Sequence, residues 1–307
     1  MKISTSVYGV IKSYGLEAGM KMLANAGFEA IDYSITQNAL RWDAGFLRDA
    51  SLPEFAEYFK GIAKTVRSYG LEIHQVHPPY AETDCDSVEI YPQLLEHGIR
   101  SIYAAGFMEC PYVVCHPMIH PDFCDGKNRE KARQMTLDYF SAMVPAIKDT
   151  GVTVCIENLF SSDVVAQREV LNYCSVAEEL CDLIDTLNDM HGPHFAACLD
   201  TGHASVVGQD PCQMLRKLGD RAKVLHIQDN RGALDDHLIP TRGIIDWKAF
   251  ATALGEVGYS GTFNFEVSTH FTDFSRDIYS PDTFQQACNL LYAIGRSLAD
   301  IAEGKSW

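Results

Sequence analysis

Short apolar runs rich in Val, Ile, Ala and Phe alternate with longer stretches whose apolar residues recur at helical spacing, from one end of the chain to the other. The short runs predict strands over 2–7, 30–33, 71–77, 112–116, 152–157, 195–200, 222–228 and 261–267. The longer stretches predict helices over 16–26, 53–69, 88–105, 129–148, 175–190, 211–218, 247–257 and 281–302. Punctuation agrees with this division. Gly27 stops the first helix, Pro53 opens the second and Gly70 closes it, while Pro78-Pro79 and Pro117 close two strands. A loop containing Trp42 joins the second strand to its helix. Eight strands alternating with helices predict a parallel (β/α)8 TIM barrel, with its active site at the carboxyl ends of the strands. A doubly wound nucleotide-binding sheet is the alternative, but the first strand lacks a Gly-x-Gly-x-x-Gly turn. No low-complexity linker interrupts the alternation, so 1–307 is read as a single domain. The loop 228–246 is the longest polar excursion late in the chain, suited to a pocket wall or lid.

The stretch 194–230 shows what the strand ends carry. One of its strands ends in Asp200, with His203 just beyond, and the next in His226, with Asp229 following. Strand 152–157 ends in Glu157, and strand 261–267 carries Glu266 near its end. Tyr33, His77 and His116 occupy the same position on earlier strands, so seven polar side chains could face one cavity. A lone histidine there is ordinarily a hydrogen-bonded core residue, and a lone Asp such as Asp200 can simply cap the next helix. Repetition over four successive strands is different. Three carboxylates crowded at one barrel mouth repel one another, and a divalent cation removes that cost. Oxygen donors with one imidazole favour Mn²⁺, with Mg²⁺, Co²⁺ and Zn²⁺ as alternatives. A Gly-x-Ser-x-Gly nucleophile elbow is absent.

Composition narrows the partners. The 307 residues are 47% hydrophobic and 21% charged, with a formal net charge of −16. That charge repels polyanions, so no nucleic acid is expected as a partner. No run approaches the length of a membrane span, and MKISTSVYGV lacks the pattern of a signal peptide. The ten cysteines are dispersed without a Cys-x-x-Cys pair, and Cys115, Cys155 and Cys198 fall inside predicted strands. They read as reduced and buried, which places the protein in the cytoplasm. A homo-oligomer is left open.

The motifs HPPY at 77–80, CHP at 115–117, IEN at 156–158, LDTGH at 199–203, HIQDN at 226–230, DDH at 235–237, GIIDW at 243–247 and FEV at 265–267 together resemble the xylose-isomerase-like barrel superfamily. That superfamily includes sugar and sugar-phosphate isomerases and epimerases, inosose dehydratases and zinc-dependent apurinic-site endonucleases. For the epimerase branch, the resemblance implies that Glu157, Asp200, His226 and Glu266 hold one divalent metal. Glu157 and Glu266 would also act as the acid/base pair beside a metal-bound carbonyl. It further implies that His203 binds a substrate oxygen, that Asp163 touches substrate, and that His77, His116 and His237 line the pocket with Asp235. An arginine expected six residues after the metal histidine is replaced by Gly232, leaving Arg231 or Arg242 to substitute. The endonuclease branch would instead use His77, His116, Glu157, Asp200, His203, His226, Asp235, His237 and Glu266 for three zincs, against the opposing charge of the chain. The leading expectation is a metal-dependent isomerase or epimerase of a small carbohydrate. A lyase on the same scaffold, an inosose-type dehydratase or a C-glycoside-cleaving enzyme, stands close behind. No compact Ser/Gly/Lys phosphate cradle is visible, which favours a free sugar or glycoside over a phosphate ester.

Overall fold

The computed structural model describes residues 1–35, 51–79, 90–119, 122–123, 127–163, 165–267, 270–271 and 278–305. Trp42, Tyr80 and the start of the helix expected from 88 lie outside the described residues. The chain runs β1 (Ile3–Ser6), α1 (Tyr8–Tyr14), α2 (Leu16–Ala26), β2 (Ala30–Ser34), α3 (Leu52–Ser68), β3 (Glu72–His77), α4 (Tyr91–Phe107), β4 (Tyr112–Cys115) and α5 (Arg129–Thr150). It continues β5 (Thr153–Glu157), β6 (Phe160–Asp163), β7 (Arg168–Leu171), α6 (Ala177–His191), β8 (Phe195–Asp200), α7 (Thr201–Val206), α8 (Pro211–Leu218), β9 (Ala222–His226), α9 (Trp247–Glu256), β10 (Phe263–Phe265) and α10 (Pro281–Ala302).

Eight parallel strands follow the order β10-β1-β2-β3-β4-β5-β8-β9. The ring is brought together between β9 and β10 by a parallel bridge of Ile227 with Phe265. There Ile227 N donates to Asn264 O at 2.8 Å and Glu266 N donates to Ile227 O at 3.0 Å. This seam sets His226 and Glu266 side by side. The expected (β/α)8 TIM barrel is therefore the observed architecture. Among the described residues, no helix is long and apolar enough to cross a membrane.

Strand alternation explains the interior. Side chains two residues back from Glu157, Asp200 and His226 share their face, and these are Cys155, Cys198 and Val224. Together with Val114 and Ala196 they form a small buried cluster separate from the main core. The main core is made by the outward strand residues and the inner faces of the helices, for example Ile3, Phe265, Leu291 and Leu298. The eight described cysteines are free and buried, and burial pushes the Cys115 thiol up to about 12.

Four elements escape the sequence pattern. Helix α1 directly follows the first strand, α7 directly follows Asp200, and β6 and β7 form an antiparallel hairpin between β5 and α6. The hairpin pairs Phe160 with Leu171 and Asp163 with Arg168, and the Phe160 ring lies 4.9 Å from that of His203. It thus stands at the carboxyl ends of the strands and supplies a wall there.

The close fit of α10 on the barrel is testable at Gly295. A Cβ there would lie 2.6 Å from the ring of Phe265 and 2.9 Å from Ile3. Both neighbours are fully buried, so neither can retreat without moving the barrel. Gly295→Ala is expected to destabilise the fold by about 1–3 kcal/mol in urea denaturation, the usual cost of overpacking. An unchanged midpoint would show that α10 can slide.

Candidate active site

Glu157, Asp200 and His226 are the last residues of β5, β8 and β9, and Glu266 follows β10 directly. One ligand-capable atom from each of the four lies within 4.8 Å of the others. Glu157, Asp200 and His226 are fully buried, while the Glu266 side chain retains 20% exposure. The cluster is therefore reached from one side, past Glu266.

Glu157 sits among four imidazoles. Its Oε1 lies 2.8 Å from His226 Nδ1 and 3.3 Å from His203 Nδ1; its Oε2 lies 3.2 Å from His116 Nε2 and 3.5 Å from His77 Nε2. Burial works against its charge, but His226, His116 and His77 outweigh burial and hold the carboxyl well below the usual range. Asp200 has the opposite fate. Burial, reinforced by the repulsion of Glu157, Glu266 and Asp235 and opposed by His203, raises it to about 7. Asp200 also caps α7, its Oδ1 accepting from His203 N at 2.6 Å. The cap and the convergent carboxylate are the same side chain. Asn158 fixes its backbone by donating to Asp200 O at 2.9 Å and accepting from Asp200 N at 2.8 Å.

Two further groups flank the quartet. His77 and His116 share Glu157, and His203, Asp235 and His237 form a separate triad. In that triad, Asp235 Oδ2 is 2.7 Å from His237 Nε2 and 3.5 Å from His203 Nε2, and Gln228 Nε2 donates to Asp235 Oδ1 at 2.6 Å. Burial opposes charge on both imidazoles, but Asp235 and its neighbours raise His203 well above its ordinary value and His237 to about 10. The loop carrying Asp235 and His237 is ordered by Asp229. Its buried carboxylate accepts from Gly243 N at 2.9 Å, Ile245 N at 3.3 Å and Trp247 Nε1 at 2.9 Å. A side chain at 243 would come within 2.1 Å of Asn230 O, so glycine is required there.

These groups open onto a cavity of about 310 Å³. His77, His116, His203 and Glu266 line it below, and Leu159, Phe160, Glu169, Leu234, Asp235 and His237 complete it. Its described lining contains no lysine or arginine. The size suits a small ligand. The donor set, three carboxylates and an imidazole, fits a divalent cation, because the cation would supply the positive charge that protonated histidines otherwise provide.

The structure thus brings together Glu157, Asp200, His226 and Glu266, and places His77, His116, His203 and His237 on the cavity. Two other expected residues lie elsewhere. Asp163 Oδ1 accepts from Val165 N at 3.1 Å and Ala166 N at 2.9 Å, so it closes the β6–β7 turn. Arg231 pairs with Asp236 at 3.2 Å with its side chain 68% exposed. Glu169, one residue along the hairpin from the partner of Asp163, reaches the cavity instead, and burial raises its carboxyl. Tyr33 belongs to the hydrophobic core, and its neighbour Asp32 faces the interior, 3.1 Å from His226 Nε2. Simple alternation along β2 sends Ile31 and Tyr33 to the outer core and Asp32 inside, and a register shift opposite it on β3 brings Gln75 beside Asp32.

Comparisons with known proteins agree with this architecture. A family model described as xylose isomerase-like TIM barrel matches residues 20–294. Uncharacterized protein y4fM of Sinorhizobium fredii is 24% identical over 300 residues, covering 90% of this chain and 87% of its own. L-ribulose 3-epimerase of a Methylomonas species is 25% identical over 233 residues, covering 73% and 71%. A crystal structure of D-psicose 3-epimerase obtained in the presence of D-fructose superposes with a TM-score of 0.70, covering 97% of this chain and 99% of the other. At 13% identity, that last likeness is one of fold.

The raised Asp200 carboxyl has a signed consequence. Its folded value, about 7, lies above its unfolded one, so it stabilises the cation-free fold at acid pH and that contribution is lost as pH rises through about 7. Thermal melts of chelator-treated protein from about pH 5 to about pH 8 should therefore show Asp200→Asn gaining on the wild type as pH rises. A gap between the two that stays constant with pH would show that Asp200 does not titrate in this window.

Proposed function

The chain belongs to the xylose isomerase-like TIM barrel family, and from that premise we propose that it is a sugar isomerase or epimerase working with one divalent cation. The observation that carries this reading is the convergence of Glu157, Asp200, His226 and Glu266 within 4.8 Å at the foot of a small cavity. The similarity to an L-ribulose 3-epimerase supports the substrate class. The donor set makes Mn²⁺ the first choice, ahead of Mg²⁺, Co²⁺ and Zn²⁺. Free, buried cysteines support a reducing compartment, the cytoplasm.

A cation held by the quartet would stabilise negative charge developing on a substrate carbonyl oxygen. The protein's own groups do the rest. Glu266, the member of the quartet that lines the cavity, takes a proton from the carbon beside the carbonyl. Glu157 is its partner in proton transfer, with His116 3.2 Å and His77 3.5 Å away to exchange protons with it. His203, whose Nε2 has a long 3.5 Å contact with Asp235, donates to a substrate hydroxyl, and Asp235 and Glu266 O hold His237 beside it as part of the wall. Leu159, Phe160 and Leu234 offer apolar surface to the carbon face of a sugar. A described lining without lysine or arginine suits an uncharged sugar or glycoside better than a phosphate ester.

A second reading, phosphodiester hydrolysis by several zincs, is favoured by one specific observation. The groups His77–His116–Glu157 and His203–Asp235–His237 also meet the spacing of metal sites, and the first shares Glu157 with the quartet. The net charge of −16 opposes it. Metal analysis after dialysis separates the two, since one ion per chain supports carbonyl chemistry and three support hydrolysis. No incision of apurinic-site DNA is expected at physiological salt, and a product that vanishes in Glu266→Gln would promote the hydrolytic reading.

Proton transfer is tested by deuterium wash-in. Incubation with Mn²⁺ and a panel of ketoses and keto-glycosides in D₂O should give exchange beside the carbonyl, followed by NMR. The rate should drop by about 10²–10⁴-fold in both Glu266→Gln and Glu157→Gln. Exchange that survives in both variants would move the role to another group, with His203 and His116 the nearest candidates. Exchange accompanied by loss of water or of an aglycone would identify a lyase built on the same first step.

A further inference from the structure

We propose that Asp32 is the positioning residue of the metal centre, holding the His226 ring so that Nδ1 faces Glu157, Asp200 and Glu266. The proposal rests on the quartet being a cation site, as argued above. His226 is fully buried and both its ring nitrogens meet carboxylates. Nδ1 lies 2.8 Å from Glu157 Oε1 and 3.3 Å from Glu266 Oε2, on the cation side. Nε2 lies 3.1 Å from Asp32 Oδ2, on the interior side. A carboxylate accepts and cannot donate, so the contact with Asp32 holds a proton on Nε2; Nδ1, whose own proton here faces Glu157, is the nitrogen a cation would take over by displacing that proton.

Asp32 is itself tightly held. Its Oδ2 also accepts from Gln75 Nε2 at 3.1 Å and from Asn264 Nδ2 at 3.3 Å. The Asn264 amide cannot turn over freely, because its Oδ1 accepts from Ser4 Oγ at 2.8 Å. These five residues come from β1, β2, β3, β9 and β10, so the network spans the seam at which the ring comes together. The register shift at Ile31/Asp32 sets Asp32 opposite Gln75. Beneath the site the interior has two halves. Toward β4, β5, β8 and β9 it is filled by Val114, Cys155, Cys198 and Val224; toward β10, β1, β2 and β3 it holds Asn264, Ser4, Asp32 and Gln75. If filling space were the only need, apolar residues would serve on both halves, and a carboxylate 2% exposed would be a poor choice. The polar half adjoins the imidazole that must be oriented.

The experiment uses the whole chain, stripped with a chelator and titrated with Mn²⁺ followed by electron paramagnetic resonance of the free ion. Asp32→Ala is expected to weaken Mn²⁺ binding about 10–100-fold, as removal of such hydrogen-bond partners usually does. Asp32→Asn, which keeps an accepting oxygen, should weaken it less. A purely structural role would instead lower the melting temperature of the chelated protein and leave the affinity of the folded fraction unchanged, which would overturn the proposal. A measurement on the wild type stands apart from any folding defect: long-range ¹H–¹⁵N correlation of the Zn²⁺-loaded protein should show His226 protonated at Nε2. Protonation at Nδ1 would overturn the assignment. A wild type that takes up no Mn²⁺ would sink the cation reading itself, whereas normal uptake by both wild type and Asp32→Ala would sink only the role of Asp32.

Discussion

A fully buried carboxylate, Glu157, is the constraint to which the mouth of this barrel answers. Removing such a charge from water costs several kcal/mol unless its oxygens are well partnered. Glu157 meets that cost chiefly at Oε1, close to His226 and His203, while Oε2 has the electrostatic contacts of His116 and His77 without a well-formed hydrogen bond. Those imidazoles come from or follow β3, β4, β8 and β9, so the carboxylate draws half the strand ends toward one point. Asp200, equally buried, is raised to about 7 by that burial and by the repulsion of Glu157, Glu266 and Asp235 against His203, while the imidazoles hold Glu157 low. A divalent cation would relieve that imbalance in one step.

Rigidity around this point comes from residues that touch no ligand. Asp229 ties Gly243, Ile245 and Trp247 to the end of β9, and Gly243 has no room for a side chain. The loop so formed holds His237 with a φ of 48°, uncommon for a residue with a Cβ. The contacts of His237 with Glu266 O at 2.9 Å and Asp235 at 2.7 Å offset that conformation. Gln228 links the loop to Asp235, and Gly202 packs so closely against the Gln228 side chain that a Cβ would lie 2.2 Å from it. The cavity wall is thus built into the strand ends, and its side chains meet a substrate with their geometry already set.

The parts of the site that could be read from the sequence are those fixed by strand ends. Eight apolar runs, seven of them with a polar residue at or near the close, were enough to bring Glu157, Asp200, His226 and Glu266 together, because a parallel barrel puts all such ends on one face. Sequence position and structure part where placement depends on strand alternation or turn geometry. Tyr33 was the natural strand-end residue of β2, but alternation along that strand sends Ile31 and Tyr33 to the outer core and Asp32 inside. Asp163 has the spacing of a substrate contact, yet a tight antiparallel turn takes its carboxylate. The hairpin itself, FSSD and REVL, is too short and too polar to stand out from a loop. Glu169 could have been found only by knowing that hairpin's register. Arg231 sits in a loop whose path is set by Asp229, and adjacency in sequence does not turn it toward the cavity.

Charge balance also bears on how many cations the site would hold near neutral pH. In the triad, Asp235 is held well below its ordinary value while His203 and His237 are raised, so the three already form a compensated group. A cation binding there would have to expel protons from both imidazoles, against partners that hold those protons firmly. His116 differs, since burial lowers it, but His77 beside it is raised by Glu157 despite burial. In the quartet, by contrast, Asp200 and Glu266 add negative charge that the four imidazoles around Glu157 do not fully answer. On the function proposed above, a first cation would therefore gain most at the quartet and would leave the flanking imidazoles their protons. The ligand spacing of three sites is thus compatible with the electrostatics of one.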